Sequence, residues 1–288
     1  MAITSEMVKT LREKTGCGMM DCKRALEETS GDMEKAVDVL RKKGLATAAK
    51  KADRVAAEGT VRSYLDEANG IGVLIEINCE TDFVAKNSDF QNFVSDIAFH
   101  VAKSAPKNVD ELLTQKYIKS PEKTVNDILK ETIAKFGENT VINRFVRYES
   151  KGILEAYIHL NGKIGVLVEI ETNLDNSLVK SLSRDIALQI AASRPICINR
   201  EQVPQEMLER EKNLLKEQAL AEGKPEKIIE KMVEGRLQKF YAEVCLLDQP
   251  FIRDQEKKVS DVIKEASSKL GGNIIVKRFE RYQVGEKA

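Results

Sequence analysis

The chain has 288 residues, too many for one small domain and about right for two or three. It is 42% hydrophobic and 32% charged, and its 46 Lys and Arg balance 46 Asp and Glu, so it lacks the basic excess of a chain that grips nucleic-acid phosphates. No apolar run approaches the roughly 18 to 20 residues of a membrane span, and the first residues lack the basic-then-apolar order of a signal peptide, so a soluble, cytoplasmic protein with no membrane partner is expected.

Three short helices open the chain. Met7, Val8 and Leu11 mark the first, which stops at Thr15-Gly16-Cys17-Gly18. Met19, Cys22, Ala25 and Leu26 mark the second, ended by Ser30-Gly31-Asp32, and Met33, Ala36, Val37 and Leu40 mark a third, with Asp32 as its cap and Gly44 as its terminator. Met20 points nearly opposite the centre of the Cys22, Ala25 and Leu26 face, with Lys23 on its flank. Two readings stay open for it: a scattered surface residue, or a contact that repacks against a partner. Ala46 to Ala57, rich in Ala and Lys, reads as a helical or extended linker.

The remainder contains itself twice. Ile71-Gly72-Val73-Leu74-Ile75-Glu76-Ile77 reappears as Ile164-Gly165-Val166-Leu167-Val168-Glu169-Ile170 at an offset of 93, each after an Asn-Gly that favours a tight hairpin turn. Asp96-Ile97-Ala98 and Pro106 recur at an offset of 89, as Asp185-Ile186-Ala187 and Pro195. Val125 to Ile128 and Arg144-Phe145 recur at an offset of 134. Each copy reads hairpin, helix, helix, strand. In the first copy, Ser88 and Gln91 predict a capping box. The helix they open carries Phe90, Phe93, Val94, Ile97, Ala98 and Val101 on one face; a second carries Val125, Ile128, Leu129, Ile133 and Phe136 and ends at Gly137, and the strand Val141–Tyr148 closes the unit.

The fold class is therefore α+β: a small N-terminal three-helix bundle, then a core of two repeated α+β subdomains with antiparallel sheets. The expected divisions are 1–55, 56–148 and 149–288, with a helical hairpin inserted at about 196–250. That hairpin accounts for a gain of 45 residues in the second copy, its helices starting near Pro204 and at Pro225 with a turn at Glu222-Gly223. Its stripe of Ile229, Val233, Leu237, Phe240 and Val244 is covered either by the first helix of the hairpin or by another chain. The first copy has its own gain, four residues within Cys79 to Asn87. There Thr81-Asp82-Phe83-Val84 reads as a surface loop, and Phe83 is either an exposed anchor or folded back onto the core while Asp82 caps a turn.

Five cysteines, Cys17, Cys22, Cys79, Cys197 and Cys245, odd in number and without a C-x-x-C pair, argue against a disulfide framework and a zinc site. With only His100 and His159, and no G-x-S-x-G, H-E-x-x-H, P-loop or dinucleotide motif, neither an enzyme nor a metal or cofactor site is expected.

Three segments together resemble the elongation factor Ts family: Thr15 to Leu26, Thr81 to Asn87, and Gly223 to Arg236, in order and spanning essentially the whole chain. The resemblance implies a nucleotide exchange factor for the GTPase elongation factor Tu, with a three-helix module like ubiquitin-associated domains docking on the partner's GTPase domain. By similarity, Met19, Met20 and Lys23 match that contact. Asp82 and Phe83 match the loop that disturbs the nucleotide magnesium, with Thr81 and Val84 shaping it, and His159 matches a contact to the partner's third domain. The chain ends six residues after Tyr282, so the C-terminal helical module of some relatives is expected to be absent, and a homodimer is left open. Two other classes compete. An RNA- or ribosome-binding module has little support from residues 1–55, with twelve basic against nine acidic residues; a non-catalytic scaffold would bind a partner without changing nucleotide release.

Overall fold

The computed structural model describes residues 3–51, 53–222 and 225–286. Helices α1 (Ser5–Thr15), α2 (Met19–Glu28) and α3 (Met33–Lys51) come first. They bury Val8, Leu11, Cys22, Ala25, Leu26, Ala36 and Leu40 in a small core of their own. Thr4 caps α1, accepting the Met7 N–H at 3.2 Å, and Asp32 caps α3, accepting the Lys35 N–H at 3.1 Å. Two expectations fail here. Gly44 does not end α3, which continues through much of the expected linker to Lys51; a Cβ on Gly44 would stand 2.9 Å from Ala134 Cβ, so this glycine is a point of close helix packing. Met19 does not join the buried face, because as the first residue of α2 it lies outside the three-helix core and is 57% exposed.

The first copy of the repeat runs β1 (Glu58–Asp66), β2 (Ile71–Cys79), α4 (Asp82–Lys86), α5 (Ser88–Ser104), α6 (Val109–Thr114), β3 (Lys116–Tyr117), β4 (Ser120–Thr124), α7 (Val125–Phe136) and β5 (Thr140–Glu149). The second runs β6 (Ile153–His159), β7 (Ile164–Thr172), α8 (Asn176–Ser193), α9 (Gln205–Ala221), α10 (Glu226–Val244), β8 (Pro250–Phe251), β9 (Asp254–Lys258), α11 (Val259–Leu270) and β10 (Ile274–Gln283). Each copy forms an antiparallel three-stranded sheet, β1-β2-β5 and β6-β7-β10, so the fold is α+β with the duplication read from the sequence. Each copy also has a minor two-stranded hairpin, β3-β4 or β8-β9, that the apolar periodicity did not reveal because its strands are short and mostly polar.

Two local expectations are corrected. The Asn-Gly turns are not tight two-residue hairpins: Asp66 pairs with Ile71 and His159 with Ile164, leaving four-residue loops. The Ser88–Gln91 capping box does not form. Asn87 caps α5 instead, accepting the Asp89 N–H at 2.9 Å, while Gln91 bonds to Arg62 and to the Ala85 carbonyl.

The strand period of two decides the packing. Val73, Ile75, Ile77 and Cys79 of β2 face the helices of the first copy, and Val166, Val168 and Ile170 of β7 face those of the second. The intervening Leu74 and Leu167 meet each other in a separate core with Val61, Tyr148 and Tyr282. The two sheets thus stack face to face, each with helices on its outer side. Two cation–π contacts cross the stack reciprocally: Arg144 lies 4.3 Å from the Tyr282 ring centre and Arg278 lies 4.0 Å from that of Tyr148. The fully buried Glu76 carboxylate is neutralised by Arg144, 2.8 Å away.

The inserted hairpin is α9 and α10. Its stripe is covered from within the chain: Ile229 and Leu237 are buried on α10, as are Leu215 and Ala219 on α9, and Phe240 and Val244 pack at the base with Cys197, Val203 and Cys245. Gly223 and Lys224, where the turn was expected, and Ala52 of the linker lie outside the described residues.

Candidate functional site

The extra residues of the first copy do not form an irregular loop. They form α4, a helix of five residues between β2 and α5. Thr81 is its N-cap, with its side chain accepting the Val84 N–H at 3.4 Å. Val84 and Ala85 are buried in the core of the first copy, which turns the neighbouring Phe83 outward at 84% exposure. The fold-back alternative for Phe83 is therefore not what the structure adopts. A ring this exposed is unfavourable in water and suits a partner's pocket.

Asp82 and Lys86, one helical turn apart, are ion-paired at 2.6 Å. The Lys86 hydrogen bond holds the Asp82 carboxyl below its ordinary range, and the charge of Lys163 acts in the same direction. Beneath them, burial pushes the Cys79 thiol up to about 12, so Cys79 is a neutral group that donates to the Thr81 carbonyl at 3.2 Å.

Lys163 belongs to the second copy. It is ion-paired with Glu58 at the start of β1, and it closes the loop after β6. The structure therefore brings the His159 loop to the side of the sheet stack where α4 sits. His159 is exposed, its Nδ1 3.0 Å from the Tyr157 hydroxyl and its ring stacked on Tyr157. Next to it is a residue that sequence reasoning missed. Leu160 is 63% exposed with a left-handed φ of 48°, followed by Asn161 at 53°. Two successive left-handed residues other than glycine mark a loop held in a strained shape. The available signal was an apolar residue directly before an Asn-Gly turn.

The N-terminal candidates lie at the start of α2. Met20 is 59% exposed, beside the exposed Met19, and Lys23 makes only a loose 3.8 Å pair with Glu27. Such a pair contributes little and leaves the ammonium available. Besides the packing of α3 on α7, this region is tied to the rest through Lys135 of α7, whose side chain packs over Gly16 and whose ammonium is 2.7 Å from Asp89, in the first turn of α5. Among the described residues no group of three or more His, Cys, Asp and Glu could hold a metal ion, and no helix is long and apolar enough to cross a membrane. What this arrangement offers is an anchored aromatic, a charged carboxylate beside it, and two further exposed apolar points at Met20 and Leu160.

The sequence profile of the family described as Elongation factor TS matches residues 80–286. The chain is 47% identical over 285 residues to Elongation factor Ts of Clostridium kluyveri (strain ATCC 8527), covering 99% of this chain and 93% of that protein. It is 49% identical to Elongation factor Ts of Clostridium perfringens (strain SM101) and 48% identical to that of Clostridium novyi (strain NT), each with the same coverage. With the duplicated α+β core, the outward aromatic helix and these relatives along nearly its whole length, the chain belongs to the elongation factor Ts family of translation elongation factors.

Proposed function

We propose that this protein is a guanine nucleotide exchange factor: it binds elongation factor Tu in its GDP form, disturbs the nucleotide magnesium through Thr81–Val84, and promotes GDP release so that GTP can bind. The observation that carries the reading is Phe83, 84% exposed on an anchored helix that one copy of the repeat has and the other lacks. Phe83 acts as the wedge and Asp82 as the polar contact beside it. Thr81 and Val84 fix the helix to the fold. Met19, Met20 and Lys23 of the N-terminal module, residues 1–55, contribute affinity, and the His159 loop contributes a second, smaller contact on the partner.

The physical basis is linkage. A wedge that fits only a GTPase with a disturbed nucleotide site weakens GDP binding, and GDP weakens the wedge reciprocally. Each tenfold acceleration of release needs about 1.4 kcal/mol of relative barrier lowering. Burial of one Phe ring supplies roughly 1.5 to 3 kcal/mol, so Phe83 accounts for one or two decades and the disturbed magnesium for the rest. No covalent step is required of this chain, and no enzymatic activity of its own is proposed.

Stopped-flow release of a fluorescent GDP analogue from elongation factor Tu tests this. Wild type should accelerate release strongly, and Phe83→Ala should lower the maximal rate by about ten- to a hundredfold with the fold intact. Partner binding without acceleration would instead favour a scaffold, and no binding at all would defeat the reading.

A further inference from the structure

The turn after α7 makes a contact that its counterpart in the second copy cannot make. Gly137, Glu138 and Asn139 lead from α7 into β5, and at the offset of 134 Gly271, Gly272 and Asn273 lead from α11 into β10. Gly137 and Gly271 have the same φ, 71°. Both asparagine N–H groups donate to a side chain just past the middle strand: Asn139 to Glu80 at 2.6 Å, and Asn273 to Asn173 at 2.7 Å. Glu80 and Asn173 correspond at the offset of 93. Because both copies have it, this half of the contact belongs to the fold.

The other half is present once. The two carboxylate oxygens of Glu138 accept the Thr81 N–H at 3.0 Å and the Thr81 hydroxyl at 2.7 Å. In the second copy the place of Glu138 is taken by Gly272 and that of Thr81 by Leu174. A Cβ on Gly272 would stand 2.4 Å from Leu174 Cγ, so a side chain there would have to displace Leu174. The copy without α4 has no such carboxylate. An internal duplication thereby separates what the fold needs from what α4 needs.

We propose that Glu138 is a positioning residue for the Phe83 wedge, a proposal that rests on the exchange reading above. A five-residue helix is too short to persist by its own hydrogen bonds. Burial of Val84 and Ala85 holds its middle, and the bidentate Glu138–Thr81 contact holds its start. With the start and the middle of the helix set before the partner arrives, Phe83 enters its pocket without a further ordering cost.

The test uses the full chain in the nucleotide-release assay together with hydrogen–deuterium exchange. Glu138→Ala should lower the maximal release rate about tenfold and change the half-saturating concentration less than about threefold. Glu138→Gln, which keeps one acceptor, should recover part of the loss. In a Phe83→Ala background, Glu138→Ala should cause no further loss, because it acts through that ring. The amides of 82–86 should exchange faster in Glu138→Ala while those of β2 and β7 stay as in wild type, which excludes a general loss of fold. A wild-type release rate in Glu138→Ala, or a full additional loss in the double variant, would overturn the proposal alone. Wild type that fails to accelerate release would overturn the exchange reading and the proposal with it, and the 82–86 amides would then report only whether the contact holds the helix.

Discussion

His100 lies within α5 with no exposed surface, its Nδ1 accepting the Ile118 N–H at 3.2 Å and its Nε2 3.1 Å from Gln115 Oε1. Because Nδ1 accepts, the ring proton sits on Nε2 and is donated to Gln115. Burial holds the folded imidazole neutral, with its pKa below the ordinary 6.5. The unfolded chain takes up a proton as pH falls through about 6.5, and the folded one does so only at a lower pH. The contribution is therefore complete above that value and is lost below it, by at most about 1.4 kcal/mol per pH unit. Denaturant unfolding between about pH 7.5 and 5.5 should show a shallower loss of stability in His100→Gln than in wild type; equal slopes would contradict the assignment. At this scale the sequence was uneven. It singled out Met20 and Phe83 because each broke a pattern or stood in an unpaired insertion. It did not single out His100, Glu138 or Leu160, whose roles come from residues distant in the chain or from a backbone conformation that no periodicity reports.

At the scale of elements, α4 and the α9–α10 hairpin are the additions to a repeated frame, and they are held differently. The helix α4 is tied to the core by buried side chains and by Glu138, whereas α9 and α10 largely cover each other. Leu237, 5% exposed, is one of the buried residues of α10, whose main packing partner is α9. Leu237→Ala should cost about 2 to 4 kcal/mol within the hairpin. The amides of α9 and α10 should exchange faster while those of β2 and β7 do not change, as expected for a locally cooperative unit. Equal acceleration in the central strands would show instead that hairpin and core unfold together. The sequence located both additions through changes in repeat offset, and placed the starts of the hairpin helices to within a residue, Pro204 and Pro225 standing as their N-caps rather than as first helical residues. It missed that α4 is helical, since five residues are too few for a period to register.

Across the whole molecule, the stack of the two sheets sets where α4 stands relative to the His159 loop. The stack is close because Gly72 and Gly165 occupy equivalent positions on the facing strands. A Cβ on Gly165 would lie 2.4 Å from Val61 Cγ1 and 2.9 Å from Leu74 Cδ1. Gly165→Ala should therefore force the sheets apart at a cost of about 1 to 3 kcal/mol, seen as a lower thermal midpoint. Nucleotide release should also fall, because Gly165 pairs with Ile158, next to His159, and its displacement would carry the His159 loop with it. A midpoint equal to wild type would mean the stack yields more easily than this spacing implies.

By itself the sequence determined the duplication, the α+β class, the three N-terminal helices and the two insertions, because each is written in local periodicity or in the offset between two copies of one pattern. It also held an unread clue to the stack: in Ile71 to Ile77 and Ile164 to Ile170 the face opposite the main apolar stripe carries a Gly and a Leu as well as a Glu, rather than the polar residues of a solvated face. Only the tertiary structure decided that the second faces cover each other, that Phe83 points outward, and that Glu138 holds Thr81 from 57 residues away along the chain. Those outcomes depend on which buried groups meet across the fold, and a contact between distant residues leaves no period along the chain.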